Sequence, residues 1–236
     1  MTDIVLRDLS SMAELRLAET LQRAVWGKGD LPDPADLMLV IQAEGGLVGG
    51  AFVEGRMLGY IFGFPTRDPR VQHSHRLAVL PRARGLGLGL RLKRYQRDWC
   101  LARGIATVRW TFDPLRALNA TLNLHRLGAT SATYLPDYYG EMAGINHGLA
   151  SDRLLVDWEL VAPQVAALAA GMPRPLVATE PLPVALPEDV GKLTLADPAG
   201  AAALRLQLRG AMQAALDRGR RIVDFDRKAR VYLVAA

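Results

Sequence analysis

The sequence predicts a mixed chain, α+β or α/β in class: one sheet flanked by helices, with a C-terminal extension behind it. Three observations predict this. Apolar runs of strand length alternate with stretches of helical period through roughly the first 160 residues. A glycine-rich loop joins one of the strands to a basic helix. Past residue 162 the composition shifts to proline and alanine.

The elements follow in order. Ile4 to Leu9 reads as a short strand. Ser10 or Ser11 caps a helix from Met12 to about Trp26, with Glu14 in the capping-box position if Ser11 is the cap. Asp30 to Pro34 is a loop, and a second short helix runs to about Ala43. Gly46 to Phe52 and Met57 to Phe64 flank Glu54-Gly55-Arg56 and read as a hairpin. Then come a strand from His73 to Val79, a helix from about Gly87 to Arg103 and a strand from Ile105 to Phe112. A helix from about Leu115 to Leu127, a strand near Ala129–Tyr134 and a strand from Arg153 to Leu160 complete the first 162 residues. In the extension, 163–187 reads as a proline- and alanine-rich linker with a short helix near Gln164–Ala170. Asp197-Pro198 opens a helix to about Arg218, with proline at its first position, and Arg221–Phe225 with Arg230–Val234 form a terminal hairpin. The expected domains are residues 1–162 and the extension 163–236.

The stretch His73 to Gly89 carries the functional signal. Leu77, Ala78, Val79 and Leu80 form an apolar run that Pro81 ends, since proline has no N–H for a sheet ladder. Arg84-Gly85-Leu86-Gly87-Leu88-Gly89 then opens the basic helix. A helix N-terminus carries unpaired amides and a partial positive charge, and glycines let an anion approach that backbone without meeting a Cβ. The loop therefore reads as the seat of an anionic ligand such as a diphosphate.

The order Leu77-x-Val79-x-Pro81-x-x-Arg84-Gly85-x-Gly87-x-Gly89 resembles motif A of the GNAT superfamily of acyl-CoA N-acyltransferases, with its core at Arg84, Gly87 and Gly89. His125-Arg126-Leu127-Gly128-Ala129 resembles the end of the family's motif B, and the resemblance covers roughly residues 2 to 162. It implies the GNAT fold, a mixed and mostly antiparallel sheet with a splayed central strand pair. It also implies acetyl-CoA or another acyl-CoA as co-substrate, with no metal, and a small-molecule amine as acceptor. By resemblance, the backbone of Leu77 and Val79 pairs with the pantetheine arm, with Val79 N–H as oxyanion partner. Amides from Arg84 to Gly89, those of Gly85, Gly87, Leu88 and Gly89 among them, take the pyrophosphate.

The reaction also needs a base for the ammonium and an acid for the leaving thiolate. The family's histone-acetylating branch has a glutamate eleven residues before the arginine of motif A; that position here is His73. His75 shares its strand face by the period of two, and Asp113 at a strand end is a third candidate, though Asp113-Pro114 also suits a turn and cap. Many family members place a tyrosine four residues before the motif-B glycine; here that residue is Leu124. Tyr138 and Tyr139 offer a phenol instead, and Tyr139 is the candidate acid. The segments FDPLRALNATLNLHRLGA, YLPDYYG and SDRLLVDWEL resemble a branch of predicted GNAT acyltransferases whose relatives are thought to acylate amino acids from succinyl-CoA. That implies a carboxylate on acceptor or acyl group, with Arg153 first among Arg109, Arg116, Asn146 and Arg153 to bind it. The missing tyrosine leaves a second reading open, a catalytically silent acyl-CoA-binding or sensing protein.

Composition sets the outer bounds. The 236 residues, half of them apolar, suffice for a sizeable core. Net charge is +5 and pI about 9.6, but the cations are spread without aromatic interleaving, so no nucleic-acid partner is expected. No apolar run reaches membrane length, and charges in MTDIVLRDL argue for a cytoplasmic location and no membrane partner. The single cysteine, Cys100, excludes an internal disulfide and reads as a buried thiol. The terminal hairpin is a candidate surface for a homodimer.

Overall fold

The computed structural model describes residues 3–27, 29–140, 149–175 and 177–236. The chain folds as two compact units, residues 1–109 and 110–236.

In the first unit the order is β1 (Ile4–Asp8), α1 (Met12–Trp26), α2 (Ala35–Ala43), β2 (Leu47–Val53), β3 (Arg56–Pro65), β4 (Val71–Val79), α3 (Leu88–Leu101) and the first half of β5 (Thr107–Phe112). β1 to β4 form an antiparallel meander. Ser11 caps α1 by accepting from the Glu14 amide (3.3 Å), and the Glu14 carboxylate accepts from the Ser10 amide (2.9 Å) while pairing with Arg7. Leu15, Ala18 and Leu21 on α1 recur at helical spacing and pack with Met38, Phe52, Tyr60 and Phe62 on one side of the sheet.

Helix α3 lies close to strands β2 and β3, which carry glycines where a Cβ would collide. A Cβ at Gly49 would meet the Tyr95 ring at 2.9 Å, and one at Gly59 would meet Leu92 and the Ala78 carbonyl at 3.1 Å. Asp8 ties the helix to β1 through the Tyr95 hydroxyl (2.6 Å) and the Trp99 indole (3.2 Å). Under α3 lies a polar layer. Buried Lys93 donates to Ser74 Oγ (2.8 Å) and Gln96 Oε1 (3.1 Å), and Gln96 donates to Gln72 (2.7 Å).

The second unit holds the end of β5, α4 (Ala117–Ala120), a π-turn (Thr121–Arg126), β6 (Thr130–Leu135), β7 (Arg153–Glu159), α5 (Pro163–Ala169), β8 (Glu180–Ala185), α6 (Val190–Ala196), α7 (Pro198–Asp217), β9 (Arg221–Asp226) and β10 (Val231–Ala235). Its strands lie in the order β7-β6-β9-β10-β8. On α7, Ala201, Leu208, Met212 and Ala215 are buried, and Asp197 caps the helix by accepting from the Gly200 amide (2.9 Å). Trp158 packs edge-on to Trp110, and Tyr232 donates to the Pro114 carbonyl (2.6 Å).

Two segments differ from the sequence expectation. The helix expected from Leu115 to Leu127 is one short α-turn followed by wider turns, with the Leu127 amide reaching the Leu122 carbonyl (3.0 Å). The 163–187 linker contains strand β8. Its Pro181 and Pro183 are tolerated because β8 is an edge strand, which needs ladder donors on one side only. Both edges of the terminal hairpin are thereby taken within the chain, β10 by β8 and β9 by β6. Among the described residues no helix is long and apolar enough to cross a membrane.

Burial lowers the Lys93 pKa to about 7 from 10.5. A lysine that gives up its proton on folding costs stability below its unfolded pKa. The cost is largest at and below pH 7 and fades as pH rises toward 10.5. Lys93→Met is expected to raise stability at pH 7 by at least about 1 kcal/mol, the worth of one pKa unit. Urea titrations of the variant should also lack the rise in wild-type stability between pH 7 and pH 10.

Candidate functional site

Strand β4 is hydrogen-bonded fully on one edge and briefly on the other. It pairs with β3 along its length, but its parallel pairing with β5 is confined to Val71↔Thr107, Gln72↔Val108 and His73↔Arg109. The direction of the remaining amides follows from the ladder. Leu80 N donates to Leu58 O (2.9 Å), and antiparallel pairs alternate, so Ala78 also faces β3. Leu77 and Val79 therefore point their N–H and C=O groups to the edge that β5 has left. An added extended segment would find its donors and acceptors there.

Between Gly63↔Ser74 and Phe62↔Arg76 the register slips by one residue, so His75 is a bulge. The bulge re-aims side chains. Gln72 and Ser74 reach the polar layer under α3, while His73 and His75 both stand on the opposite face beside Phe62 and Phe64. Their ring centroids are 6.2 Å apart. The two histidines differ in environment. His73 stacks on Phe64 at 4.9 Å and is largely buried; that burial, with the charges of His75, Lys93 and Arg109, lowers its pKa to about 4. His75 is 37% exposed, and its Nε2 lies 3.2 Å from Asp33 Oδ1. Asp33 is fixed in turn. Its amide donates to buried Gln22 Oε1 (2.8 Å), its carbonyl accepts from Gln22 Nε2 (3.4 Å), and its Oδ2 pairs with Arg76 (3.2 Å). Asp33 and Gln22 were not singled out by sequence, because Asp30–Pro34 carries only the composition of a turn.

Past β4, Pro81–Ala83 makes one tight turn and α3 begins after Gly87. Gly85 (φ +91°) and Gly87 (φ +68°) occupy the left-handed region, and a Cβ on either would meet nothing within 4 Å. No side chain among the described residues caps α3. Arg84 and Gly87 are exposed, whereas the Leu88 side chain is buried, so Leu88 has only its amide to offer; Gly89 lies in the first turn of the helix. An uncapped helix start behind an open loop fits a diphosphate. Burial pushes the Cys100 thiol up to about 12, which leaves it no nucleophilic character at neutral pH.

The second unit holds the other candidates. Asp113 Oδ1 accepts from the Leu115 amide (3.0 Å) and from Arg205 (2.6 Å), the turn-capping role its Asp-Pro setting suggests plus a buried ion pair. Tyr139 is half-exposed; its hydroxyl lies 3.3 Å from Thr111 Oγ1, its ring sits 5.0 Å below the Arg153 guanidinium, and its amide donates to Ser151 Oγ (2.8 Å). Arg153 is buried and donates to the Asp152 carbonyl (2.8 Å). Asn146 lies outside the described residues.

The sequence profile of the acetyltransferase (GNAT) family matches residues 11–129. The chain belongs to this GNAT family. It is therefore a transferase of the acyl-transferring class, and an acyl-CoA is its co-substrate. Solved structures agree in fold. The ribosomal-protein-S18-alanine N-acetyltransferase from Escherichia coli is 20% identical, with a TM-score of 0.56 over 67% of this chain and 94% of that one. A GNAT superfamily phosphinothricin acetyltransferase from Sinorhizobium meliloti, solved with acetyl-CoA, is 21% identical, with a TM-score of 0.51 over 66% of this chain and 88% of that one. No curated protein sequence matches the chain. Within the GNAT frame, the motif-B position expected to carry a tyrosine holds Leu124, which is fully buried.

The His73 environment sets a pH dependence. The unfolded ring titrates near 6.5 and the folded one near 4, so the unfolded chain takes up the proton first as pH falls. Stability from the neutral ring is full above pH 6.5 and is lost as pH drops toward 4. His73→Phe keeps the stack on Phe64 and removes the titration. Its denaturant midpoint is expected to fall less than that of the wild-type chain between pH 7 and pH 4.5; equal losses would contradict a buried neutral His73.

Proposed function

We propose that this GNAT protein moves the acyl group of acetyl-CoA, or of another acyl-CoA such as succinyl-CoA, to the amine of a small acceptor. The amine attacks directly, with no acyl-enzyme. The observation that carries this reading is the convergence, within the first unit, of an open β4 edge, an uncapped α3 start and a histidine held by a carboxylate.

When bound, the acyl-CoA supplies the thioester carbonyl. The residues of the chain do the rest. Leu77 and Val79 offer the backbone groups that hold an extended arm. The amides of Gly85, Gly87, Leu88 and Gly89, helped by Arg84, hold the diphosphate. His75 is the assigned base: with Nε2–H donated to Asp33, Nδ1 carries the lone pair that accepts the amine proton. His73, whose pKa is about 4, is too weak a base to share the role and serves as the aromatic partner of Phe64. The pairing of Asp113 with Arg205 argues against a base role for it. As the amine nitrogen bonds to the carbonyl carbon, its proton passes to His75 Nδ1, the C–S bond breaks, and the thiolate takes a proton from water. Buried Cys100 supports direct attack. Buried Leu124 supports the rival reading of a silent acyl-CoA binder, and free-thiol release from acetyl-CoA across an amine panel separates the two.

Gly87→Val puts a branched side chain at a left-handed position facing the diphosphate. Gly104→Val, at φ +74° with equally open space at the end of α3, measures the strain alone. Calorimetry is expected to show CoA affinity at least tenfold weaker in the first variant, about 1.4 kcal/mol, and near wild type in the second. Equal effects would remove the loop from the site. For the base, His75→Ala is expected to lower kcat roughly 10²–10⁴-fold at unchanged CoA affinity, and Asp33→Asn to lower it by a smaller factor. A normal kcat in His75→Ala would return the proton to water.

A further inference from the structure

Arg76 grips the end of α1 and the loop that follows it. Its Nη1 donates to Asp30 Oδ2 and its Nη2 to the Leu31 carbonyl (3.0 Å). Its Nε lies 3.2 Å from Asp33 Oδ2, and its guanidinium carbon sits 4.8 Å from the centre of the Trp26 ring. In a regular strand, residues 75 and 76 would face opposite sides. The bulge at His75 cancels that alternation, so two consecutive side chains meet one carboxylate, His75 at Oδ1 and Arg76 at Oδ2. Gln22 bonds only the backbone of Asp33, at its amide and its carbonyl, which leaves the rotation of the carboxylate unfixed. Leu31 is 86% exposed, so its side chain does not anchor the loop.

We infer that Arg76 is a positioning residue: it fixes the rotation of the Asp33 carboxylate and so keeps the His75 ring in the tautomer that leaves Nδ1 unprotonated. Its consequence for turnover rests on the reading of His75 as the base. A carboxylate only accepts, so the proton shared between His75 and Asp33 belongs to Nε2 of the ring. That preference lasts while Oδ1 stays turned toward the ring. Arg76 is 19% exposed and Asp33 13%, so their ion pair is partly withdrawn from water and holds its geometry better than a surface pair does. Lysine is no substitute. Three nitrogens of one planar group serve three separate oxygens, and a single ammonium on a flexible stem cannot hold all three in place.

The deciding test uses the full chain without substrate, so it stands apart from the transferase reading. Histidine ring nitrogens are labelled with ¹⁵N, and His75 is assigned by the signal missing in His75→Ala. Spectra are taken near about pH 9, well above the ordinary imidazole value. The wild-type ring is expected in the Nε2–H tautomer. Arg76→Gln and the milder Arg76→Lys are expected to move it toward a mixture of both tautomers, the state that Asp33→Ala gives outright. A wild-type tautomer retained in both Arg76 variants would overturn the inference, as would a wild-type ring without the Nε2–H form. Kinetics with the fastest amine of the panel test the consequence. Arg76→Gln is expected to lower kcat roughly tenfold at unchanged KM for acetyl-CoA. In the His75→Ala background the same change should cost less than about twofold, because a residue that acts through His75 has nothing left to position. Equal losses in both backgrounds would overturn the inference, since a merely structural arginine would give them. A normal kcat in His75→Ala, with the tautomer still following Arg76, would remove the base reading and leave the positioning of the ring intact.

Discussion

The first unit depends on one constraint, the unequal hydrogen bonding of strand β4. A strand interior to a sheet spends its donors and acceptors on both neighbours. β4 does so only as far as His73, and beyond it β3 alone is paired. A free backbone edge is a hazard unless it is short, covered or used. Here it is short, it ends at Pro81, and it runs straight into the open loop before α3. The His75 bulge belongs to the same constraint. It shifts the phase of the strand, so that Arg76 joins His75 on the face that carries Asp33 and Leu77 and Val79 direct backbone groups outward.

Charge in the two units is handled in different ways. In the first, buried Lys93 donates to a hydroxyl and a neutral side-chain amide, and burial lowers its pKa. In the second, carboxylates and guanidiniums are paired where burial is deepest. Asp152, fully buried, takes two bonds from Arg209 (2.7 and 2.9 Å) and one from the Tyr134 hydroxyl (2.6 Å). Arg174 spans from the carbonyls of Leu124 and His125 to that of Val223 and pairs with Asp224. Through these contacts residues 163–236 pack with the strands that follow β5 and share their core.

Much of the first 135 residues was legible because local signals agree with the fold there. Ser11 and Glu14 mark a helix start, Pro81 a strand end, and the glycines at 85 and 87 a left-handed loop. The elements that were misread depend on context. The π-turn of Thr121–Arg126 has the composition of an ordinary helix, and β8 carries two prolines that only an edge position permits. The site divides the same way. The loop and the histidine pair follow from spacing along a strand and a helix. Asp33, 42 residues before His75, and Arg205, 92 residues after Asp113, meet their partners only through tertiary folding, and no spacing rule links them.

The central claim, that β4 and the start of α3 form one backbone cradle, is tested most directly by residue-resolved amide hydrogen exchange with and without acetyl-CoA. The alternation of the ladder predicts new protection at Leu77 and Val79 and at Gly87 to Gly89, with Ala78, already bonded to β3, unchanged. Uniform protection along β4, or protection that leaves both Val79 and the α3 start untouched, would contradict it.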